Sequence, residues 1–292
     1  MAEIDQKGKS AMNDRKIIEK KLKDFTENLY REEKSEGTIE KYLCDLRQFA
    51  EWMRGKPITK NCIIIWREEM LLRGYKPATV NGKIAALNKA FAFWGWNDLK
   101  VKALKVQRQL FREQSRELTR EEYERLVRTA QNLKKERLAL VIETMCATGI
   151  RVSELRYITR EAVENGRTEI RMKGKIRTIL ISGKLCRKLS RYAQKQKITA
   201  GEIFITAKGS SLSRKQIWAE MKKLCEAANV EDSKVFPHNL RHLFARCFYR
   251  VCRDIVRLAD VLGHTNVETT RLYLISTGIM HEKTLEQLHL IL

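Results

Sequence analysis

The chain has 292 residues, a length that favours two domains, each large enough to bury a core of its own. Lysine and arginine number 58 against 36 aspartates and glutamates, which gives a formal net charge of +22 at pH 7. Such an excess attracts a polyanion, and nucleic acid is the first partner to consider, ahead of an anionic membrane surface. No apolar run approaches the ~20 residues that span a bilayer, so we expect a cytoplasmic protein with no membrane partner.

Two further bulk features exclude other classes. The seven cysteines are odd in number and include no Cys-x-x-Cys pair, which argues against a disulfide framework and a zinc site. We found no phosphate-cradling loop of the Walker type and no acidic metal cluster among the motifs, so the sequence predicts neither a cofactor nor a metal ion.

The N-terminal part of the chain reads as a tail followed by helices. Residues 1–12 are predicted to form a flexible tail. Residues 13–104 carry apolar side chains repeated at intervals of three and four, the spacing of one helix face. The clearest stripe comprises Ile39, Tyr42, Leu43, Leu46, Phe49, Ala50 and Met53. Breaks at Gly37, Gly55 and Gly74 separate the stripes, and the pattern predicts a domain of four helices.

A basic linker and a second domain follow. Residues 105–116 are rich in lysine and arginine and predict a linker that lies along a polyanion or, equally, an exposed helix end. The second domain, residues 117–292, opens with the capping-box spacing of Thr119 and Glu122. It is predicted to be mostly helical. The exception is a β-hairpin formed by Thr168–Met172 and Arg177–Ile181, where polar and apolar residues alternate.

Four short motifs in the second domain carry the candidate chemistry. In chain order they are Thr148-Gly-Ile-Arg-Val-Ser-Glu-Leu155, Lys173-Gly174-Lys175 at the hairpin tip, His238-Asn-Leu-Arg-His242, and Leu262-Gly-His264 with Tyr273 nine residues after that histidine.

These residue types suit the cleavage of a phosphodiester. Arg151 and Arg241 offer planar forks that stabilise charged phosphate oxygens in the transition state. His238 lies three residues before Arg241, which places both side chains on one helix face. It is the candidate base for Tyr273, because ionising a free tyrosine at pH 7 costs about 4 kcal/mol. His264 suits hydrogen bonding to the phosphate, and a lysine at the hairpin tip suits protonation of the leaving oxygen.

In order and spacing, these motifs resemble those of the tyrosine recombinase (phage integrase) family, close to its Xer-like and mobile-element members. The resemblance covers nearly the whole chain. It implies that Tyr273 is a nucleophile that forms a 3′-phosphotyrosyl bond, while Arg151 and Arg241 bind the scissile phosphate. It further implies that His238 and His264 assist as base and phosphate donor.

The resemblance also assigns roles around these catalytic residues. Lys173 is the implied general acid, with Lys175 as the alternative because the hairpin is one residue shorter than the family pattern. Glu154 is the implied buried partner that orients Arg151. His242 is expected to serve packing rather than catalysis.

The implied fold class is mainly α (α+β). An N-terminal four-helix, SAM-like core-binding domain clamps DNA opposite a mostly helical catalytic domain that carries a small hairpin sheet. Double-stranded DNA with specific recombination sites is the implied partner, and a tetramer on two duplexes, joined by the C-terminal helix at 281–292, is the implied working form. The residues expected to contact DNA are Lys76, Thr79, Lys83, Lys175, Arg177, Arg214 and Lys215.

Other functions remain open at this point. A type IB topoisomerase shares the chemistry but relaxes one duplex as a monomer. A non-catalytic DNA-binding protein and a basic scaffold on anionic membrane are alternatives from other classes. Within the recombinases, integration and excision of a mobile element competes with Xer-type dimer resolution and DNA inversion. The segment Arg253-Asp-Ile-Val-Arg-Leu-Ala-Asp260 looks like the corresponding segment of mobile-element integrases. Against this role, no separate arm-binding domain of the kind that larger phage integrases carry is evident.

Overall fold

The structure is a computed structural model that describes residues 15–105, 116–172 and 175–274. Contacts divide the chain into two compact units, residues 1–108 and 109–292. The predicted tail at 1–12 and nearly all of the predicted linker at 105–116 lie outside the described residues, and the domain boundaries stay a prediction. No helix in the described ranges is long and apolar enough to cross a membrane.

The first unit contains the four helices that the apolar stripes predict. They are α1 (Glu19–Arg31), α2 (Glu36–Met53), α3 (Lys60–Leu72) and α4 (Pro77–Phe93), followed by a 3₁₀ turn at Asn97–Leu99. Their apolar faces meet in one core, in which Phe25, Phe49 and Leu87 are fully buried. Burial of these stripes is what holds the short helices together, because isolated helices of this length are marginal in water.

Lys83 belongs to this core rather than to a DNA-facing surface. It is 8% exposed, and its Nζ donates to Asp45 Oδ1 at 2.9 Å and to Gln48 Oε1 at 2.5 Å. The expectation that Lys83 contacts DNA is therefore corrected. A buried ammonium needs such partners, since an unpaired one is costly to desolvate. Lys76 and Thr79, at the start of α4, are exposed.

The second unit is mostly helical with one small sheet. Its helices are α5 (Arg120–Asn132), α6 (Glu136–Thr148), α7 (Arg160–Glu164), α8 (Gly183–Lys195), α9 (Arg214–Lys222), α10 (Pro237–Cys252), α11 (Ile255–Leu262) and α12 (Val267–Arg271). Short 3₁₀ turns lie at Val152–Tyr157 and Asp232–Lys234. The predicted capping box is present: Thr119 Oγ1 accepts from the Glu122 N–H, and the Glu122 carboxylate accepts from the Thr119 N–H.

The predicted hairpin forms the sheet. Strands β1 (Arg167–Met172) and β2 (Lys175–Leu180) pair antiparallel, and Ile170 lies opposite Arg177. Strand β2 therefore begins at Lys175, two residues before the predicted start at Arg177. Ile170, Ile179 and the following Ile181 are buried, so this face of the hairpin packs on the core. Residues 173 and 174, including the implied general acid Lys173, lie outside the described residues.

A glycine turn leads from α6 into the first motif. Gly149 caps α6 in the left-handed conformation with φ +64°, which favours glycine, and the Phe244 ring of α10 occupies the space where a Cβ would stand. The chain then extends through Arg151 into the 3₁₀ turn. This turn places the first arginine motif directly beside α10, which carries the second.

Candidate active site

Arg151 and Glu154 form a reciprocal pair at the start of the 3₁₀ turn. Arg151 Nη1 donates to Glu154 Oε1 at 3.0 Å, and the Arg151 backbone N–H donates to Glu154 Oε2 at 2.7 Å. The Glu154 side chain is 3% exposed, whereas the Arg151 side chain is 43% exposed. A buried carboxylate thus fixes an arginine whose guanidinium remains open to solvent, an arrangement that suits the binding of an anion.

Arg177 reaches the same carboxylate from the hairpin. Its Nη2 donates to Glu154 Oε2, and its Nη1 donates to the carbonyl oxygens of Leu262 and Val261. Burial lowers the pKa of the Arg177 guanidinium, and the Glu154 charge opposes that shift. The expected role of Arg177 in contacting DNA is corrected, because these protein acceptors occupy its guanidinium, its side chain is 11% exposed and, unlike Arg241, it is not among the residues that line the open groove of the site.

Arg241 is buried beneath the rest of the site. It lies on the first turns of α10 and is 1% exposed. Its Nη1 donates to the Gly149 carbonyl at 2.5 Å, and its Nη2 contacts the Leu262 carbonyl at 2.7 Å and His264 Nε2 at 2.9 Å. Burial, and then repulsion from Arg151, lower its pKa to about 10, so the guanidinium stays charged at neutral pH.

His264 links Arg241 to the helix that precedes the tyrosine. Its Nε2 faces Arg241, whose guanidinium carries only donors, so Nε2 must accept a hydrogen bond. In the neutral ring the proton then sits on Nδ1, which lies 2.9 Å from Thr270 Oγ1 and donates to it. Burial, followed by the charges of Arg241 and Arg151, lowers the pKa of His264 to about 4, in keeping with a neutral ring at pH 7.

This arrangement bears on the expected role of His264. A neutral ring with its Nε2 lone pair directed at Arg241 has no proton on that atom to donate to a phosphate. Donation from Nε2 requires Arg241 to release the ring and the ring to gain or move a proton. In the arrangement shown by the structure, His264 orients Arg241.

Tyr273 lies among three histidine rings and above an arginine. It is 6% exposed. Its ring centroid is 5.5 Å from that of His238, 4.2 Å from that of His242 and 5.4 Å from that of His264, with the last pair stacked. The Arg241 Cζ atom lies 5.9 Å from the ring centroid. The structure therefore brings the predicted nucleophile to the predicted base and to a predicted phosphate-binding arginine within one chain.

An open groove of about 540 Å³ leads to this cluster. Arg151 and His238 line one part of it, and exposed side chains of α9 line another. Arg214 and Lys215, both expected to contact DNA, belong to the latter group together with Trp218, which is 49% exposed. A groove with basic side chains and an exposed indole offers both phosphate contacts and a stacking surface.

The five residues predicted as the core of the site lie together in the structure: Arg151, His238, Arg241, His264 and Tyr273. The prediction did not include Thr270, although its position three residues before the tyrosine puts it on the same short turn of chain. It also missed the backbone oxygens of Gly149 and Leu262, since backbone acceptors leave no trace in sequence. His242 is 8% exposed, and its ring centroid is the nearest of the three histidines to that of Tyr273.

The arrangement suits an anionic ligand. No cluster of three or more His, Cys, Asp or Glu side chains that could hold a metal ion occurs within the ranges the structure describes. The guanidiniums of Arg151 and Arg177 share the Glu154 carboxylate, and those of Arg177 and Arg241 share the Leu262 carbonyl. Three positive charges therefore lie around a single carboxylate charge. This local excess of positive charge attracts a phosphate group.

Known proteins are similar to this chain in sequence. Residues 116–277 match the Phage integrase family, and residues 22–97 match the family described as Phage integrase, N-terminal SAM-like domain. Tyrosine recombinase XerA of Pyrococcus horikoshii is 30% identical over 261 residues, a match that covers 86% of this chain and 87% of that protein.

Solved structures share the fold at lower identity. A lambda integrase dimer bound to a COC′ core site aligns with a TM-score of 0.70 at 18% identity, covering 89% of this chain and 78% of that one. The Tn1549 transposon integrase in complex with transposon right end DNA aligns with a TM-score of 0.69 at 16% identity, covering 93% and 99%. With more than half of its length matched by the catalytic family and a relative at 30% identity, this chain belongs to the phage integrase family of tyrosine recombinases.

Proposed function

We propose that the protein is a site-specific DNA recombinase that cuts and rejoins DNA through a covalent bond between Tyr273 and a backbone phosphate. The observation that carries this proposal is the position of the Tyr273 ring, which lies against His238 and over the Arg241 guanidinium. Family membership supports it, as do the DNA complexes of lambda integrase and Tn1549 integrase among the structural neighbours.

The proposed cleavage is a transesterification. The Tyr273 phenol oxygen attacks phosphorus, the bond from phosphorus to the 5′ oxygen breaks, and a 3′-phosphotyrosyl bond forms. His238 accepts the phenol proton, and Arg151 and Arg241 stabilise the charge on the phosphate oxygens. Attack by a 5′ hydroxyl from the partner strand reverses these steps and restores the enzyme, so the bond energy of the phosphodiester is conserved.

The leaving 5′ oxygen requires a proton. We assign this role to Lys173 at the tip of the hairpin, with Lys175 as the alternative. The root of the hairpin supports this assignment, because Arg177 on β2 holds the Glu154 carboxylate that also binds Arg151. The tip therefore extends from a strand that is tied to the phosphate-binding arginine.

DNA contacts are assigned to five of the residues that were expected to make them. In the second unit these are Arg214 and Lys215 on α9, which are exposed and line the same groove as Arg151 and His238. In the first unit Lys76 and Thr79 are exposed at the start of α4, and Lys175 completes the proposed set. The working form is proposed to be a tetramer on two duplexes, joined through the C-terminal segment at 281–292, which lies outside the described residues.

For the biological role we propose integration and excision of a mobile element. The segment from Arg253 to Asp260 and the likeness to the Tn1549 transposon integrase favour this role. Dimer resolution is the second candidate, favoured by relatives named Tyrosine recombinase XerA and XerC. Sequencing the DNA that flanks the gene distinguishes the two: terminal repeats or attachment sites indicate a mobile element, and their absence beside a single chromosomal site indicates resolution.

A trapping experiment tests the chemistry. The protein selects its target from a random-sequence duplex pool, and a nicked version of the selected duplex then traps the covalent complex. We expect a protein–DNA adduct from the wild type and none from Tyr273→Phe. If no adduct forms, or if the Tyr273→Phe variant still makes one, the proposal is wrong, and the non-catalytic DNA-binding alternative applies in the first case.

Two further measurements separate the remaining alternatives. A Holliday junction formed from two matched duplexes indicates recombination, whereas relaxation of a supercoiled plasmid without junctions indicates a type IB topoisomerase. Binding measured at several salt concentrations tests the basic DNA surface, because each phosphate contact adds about 0.9 to the slope of log affinity against log salt. A flat response, or equal binding to anionic vesicles, contradicts a DNA clamp.

A further inference from the structure

Arg177 was expected at the DNA surface, yet the strand register turns it inward. On β2 the side chains of Ile176, Thr178 and Leu180 are exposed, whereas Arg177 and Ile179 alternate with them on the opposite face. Arg177 lies opposite the buried Ile170 of β1, and its own side chain is only 11% exposed. A guanidinium in this position acts on protein groups.

Each end of the Arg177 guanidinium contacts an acceptor that also serves a phosphate-binding arginine. On one side, Nη2 donates to Glu154, whose carboxylate receives the Arg151 Nη1 and backbone N–H at 3.0 Å and 2.7 Å. On the other side, Nη1 donates to the Leu262 carbonyl, which accepts from Arg241 Nη2 at 2.7 Å. Arg177 therefore lies between Arg151 and Arg241, one shared acceptor away from each.

The glycine of the third motif makes room for this side chain. Gly263 adopts φ +66°, and a Cβ added there would collide with the Arg177 Cδ atom. The residue before this glycine supplies the shared carbonyl, and the residue after it is His264, which faces Arg241. The Leu-Gly-His sequence is thus fitted around Arg177 as well as around Arg241.

We propose that Arg177 is a positioning residue: it joins the hairpin to both phosphate-binding arginines, through Glu154 on one side and the Leu262 carbonyl on the other. This inference rests on the proposed recombinase function. It predicts that loss of Arg177 slows strand cleavage, because Arg151, Arg241 and the hairpin are no longer held in one geometry. DNA affinity is set by exposed basic residues elsewhere and is retained.

The test compares Arg177→Gln with Arg214→Gln, which removes an exposed arginine from the proposed DNA-contact set. Affinity is measured for an uncleaved selected duplex at several salt concentrations, and the cleavage rate is measured on nicked duplex at saturating protein. For Arg177→Gln we expect an unchanged salt slope and cleavage about 100-fold slower, the loss that follows a displacement of about 1 Å in a reacting geometry. For Arg214→Gln we expect weaker binding and a salt slope reduced by about 1.

Arg177→Lys provides the conservative comparison. A single ammonium can hold Glu154 but cannot span to the Leu262 carbonyl as a planar fork does, so we expect a rate between those of the wild type and Arg177→Gln. If Arg177→Gln fails to fold, the lysine variant decides alone: a slower rate at saturation with unchanged affinity supports the inference, and a wild-type rate overturns it.

Two results for Arg177→Gln overturn the inference. One is a salt slope lowered by about 1 with a wild-type rate at saturation, which identifies Arg177 as a DNA contact. The other is no change in either quantity. If the wild type itself forms no adduct, the proposed function fails, and the inference falls with it; an active wild type with an unaffected Arg177→Gln variant refutes the inference alone.

Discussion

Replacing Thr270 by valine removes the hydroxyl that His264 Nδ1 contacts at 2.9 Å. Thr270 is fully buried, and valine has nearly its shape, so the change deletes a hydrogen bond while leaving the packing almost intact. The neutral His264 ring then keeps a buried N–H without its acceptor. Moving the proton to Nε2 offers no escape, because Nε2 would then present a donor to the Arg241 Nη2 donor.

The size of the effect follows from the cost of an unmet hydrogen bond. A buried donor left without a partner costs about 1–3 kcal/mol. If the ring must hold its orientation for Arg241 to bind phosphate, this cost appears in the cleavage barrier. It corresponds to a rate reduced about 5- to 150-fold at saturating protein.

Thr270→Ser is the matched control. Serine keeps the hydroxyl and loses one buried methyl group, a change that lowers the free energy of unfolding by about 1 kcal/mol and leaves the His264 contact in place. We expect cleavage of the nicked duplex at close to the wild-type rate for serine and a slow rate for valine. A valine variant as fast as the serine variant refutes the reasoning, because the tautomer of His264 would then have no influence on Arg241.

Four other predictions concern stability and binding. Because the pKa of His264 falls from about 6.5 in the unfolded chain to about 4 in the fold, the stability it contributes is complete above pH 6.5 and is lost as the pH falls towards 4. The full shift corresponds to about 3 kcal/mol, and solvent screening at this partly exposed site reduces it to roughly 1–2 kcal/mol. Melting temperatures of the wild type should therefore decline more steeply over this range than those of His264→Gln, and parallel curves contradict the assignment. Lys83→Met should lower the free energy of unfolding by roughly 2–3 kcal/mol in chemical denaturation, since it strips a buried partner from Asp45. Lys76→Gln should leave the free energy of unfolding unchanged and reduce the salt slope of DNA binding by about 1. If instead Lys83→Met reduces the salt slope and leaves unfolding unchanged, Lys83 is a DNA contact and its correction is wrong. Gly149→Ala should lower the free energy of unfolding by at least about 2 kcal/mol in thermal unfolding, because of the left-handed φ and the Phe244 ring at the Cβ position. A smaller loss would mean that α10 shifts readily to accommodate the added methyl group.

The site was predictable from the order of its residues along the chain and from their chemical types, without any knowledge of which side chains touch. Two arginines, two histidines and a tyrosine in family order were sufficient to identify the residues that converge. Their hydrogen-bond partners were not predictable in the same way. Arg241 donates to the backbone carbonyls of Gly149 and Leu262. Because every residue has a backbone carbonyl, the residue type does not indicate which of them accepts this hydrogen bond.

The burial of the two corrected residues, Lys83 and Arg177, was predictable from the periodicity of their own helix or strand. Lys83 lies on the buried face of α4 together with Val80, Ile84 and Leu87. The spacing of three and four residues that defines this apolar stripe includes position 83. Arg177 shares the inward face of its strand with Ile179 for the same reason. In both cases the family resemblance and the positive charge suggested DNA contact, whereas the period of the element indicated burial. The acidic partners, Asp45 and Glu154, come from distant elements and required the structure.

The charges of the site explain why a neutral histidine stands among arginines. Arg151 and Arg177 bind Glu154, and Arg241 lies one shared carbonyl away from Arg177. Adding a proton to the partly buried His264 would place a fourth positive charge beside these three, so burial and this repulsion lower the pKa of His264. Neutrality makes Nε2 an acceptor, and that acceptor directs Arg241 before any substrate arrives. A phosphodiester that enters brings negative charge, which relieves the repulsion among the guanidiniums and makes a proton on His264 less costly. In the proposed mechanism, an anion bound by Arg241 would favour the protonation of His264 that lets its Nε2 donate. Phosphate binding and the change of His264 from acceptor to donor would then be coupled in the direction that this mechanism needs.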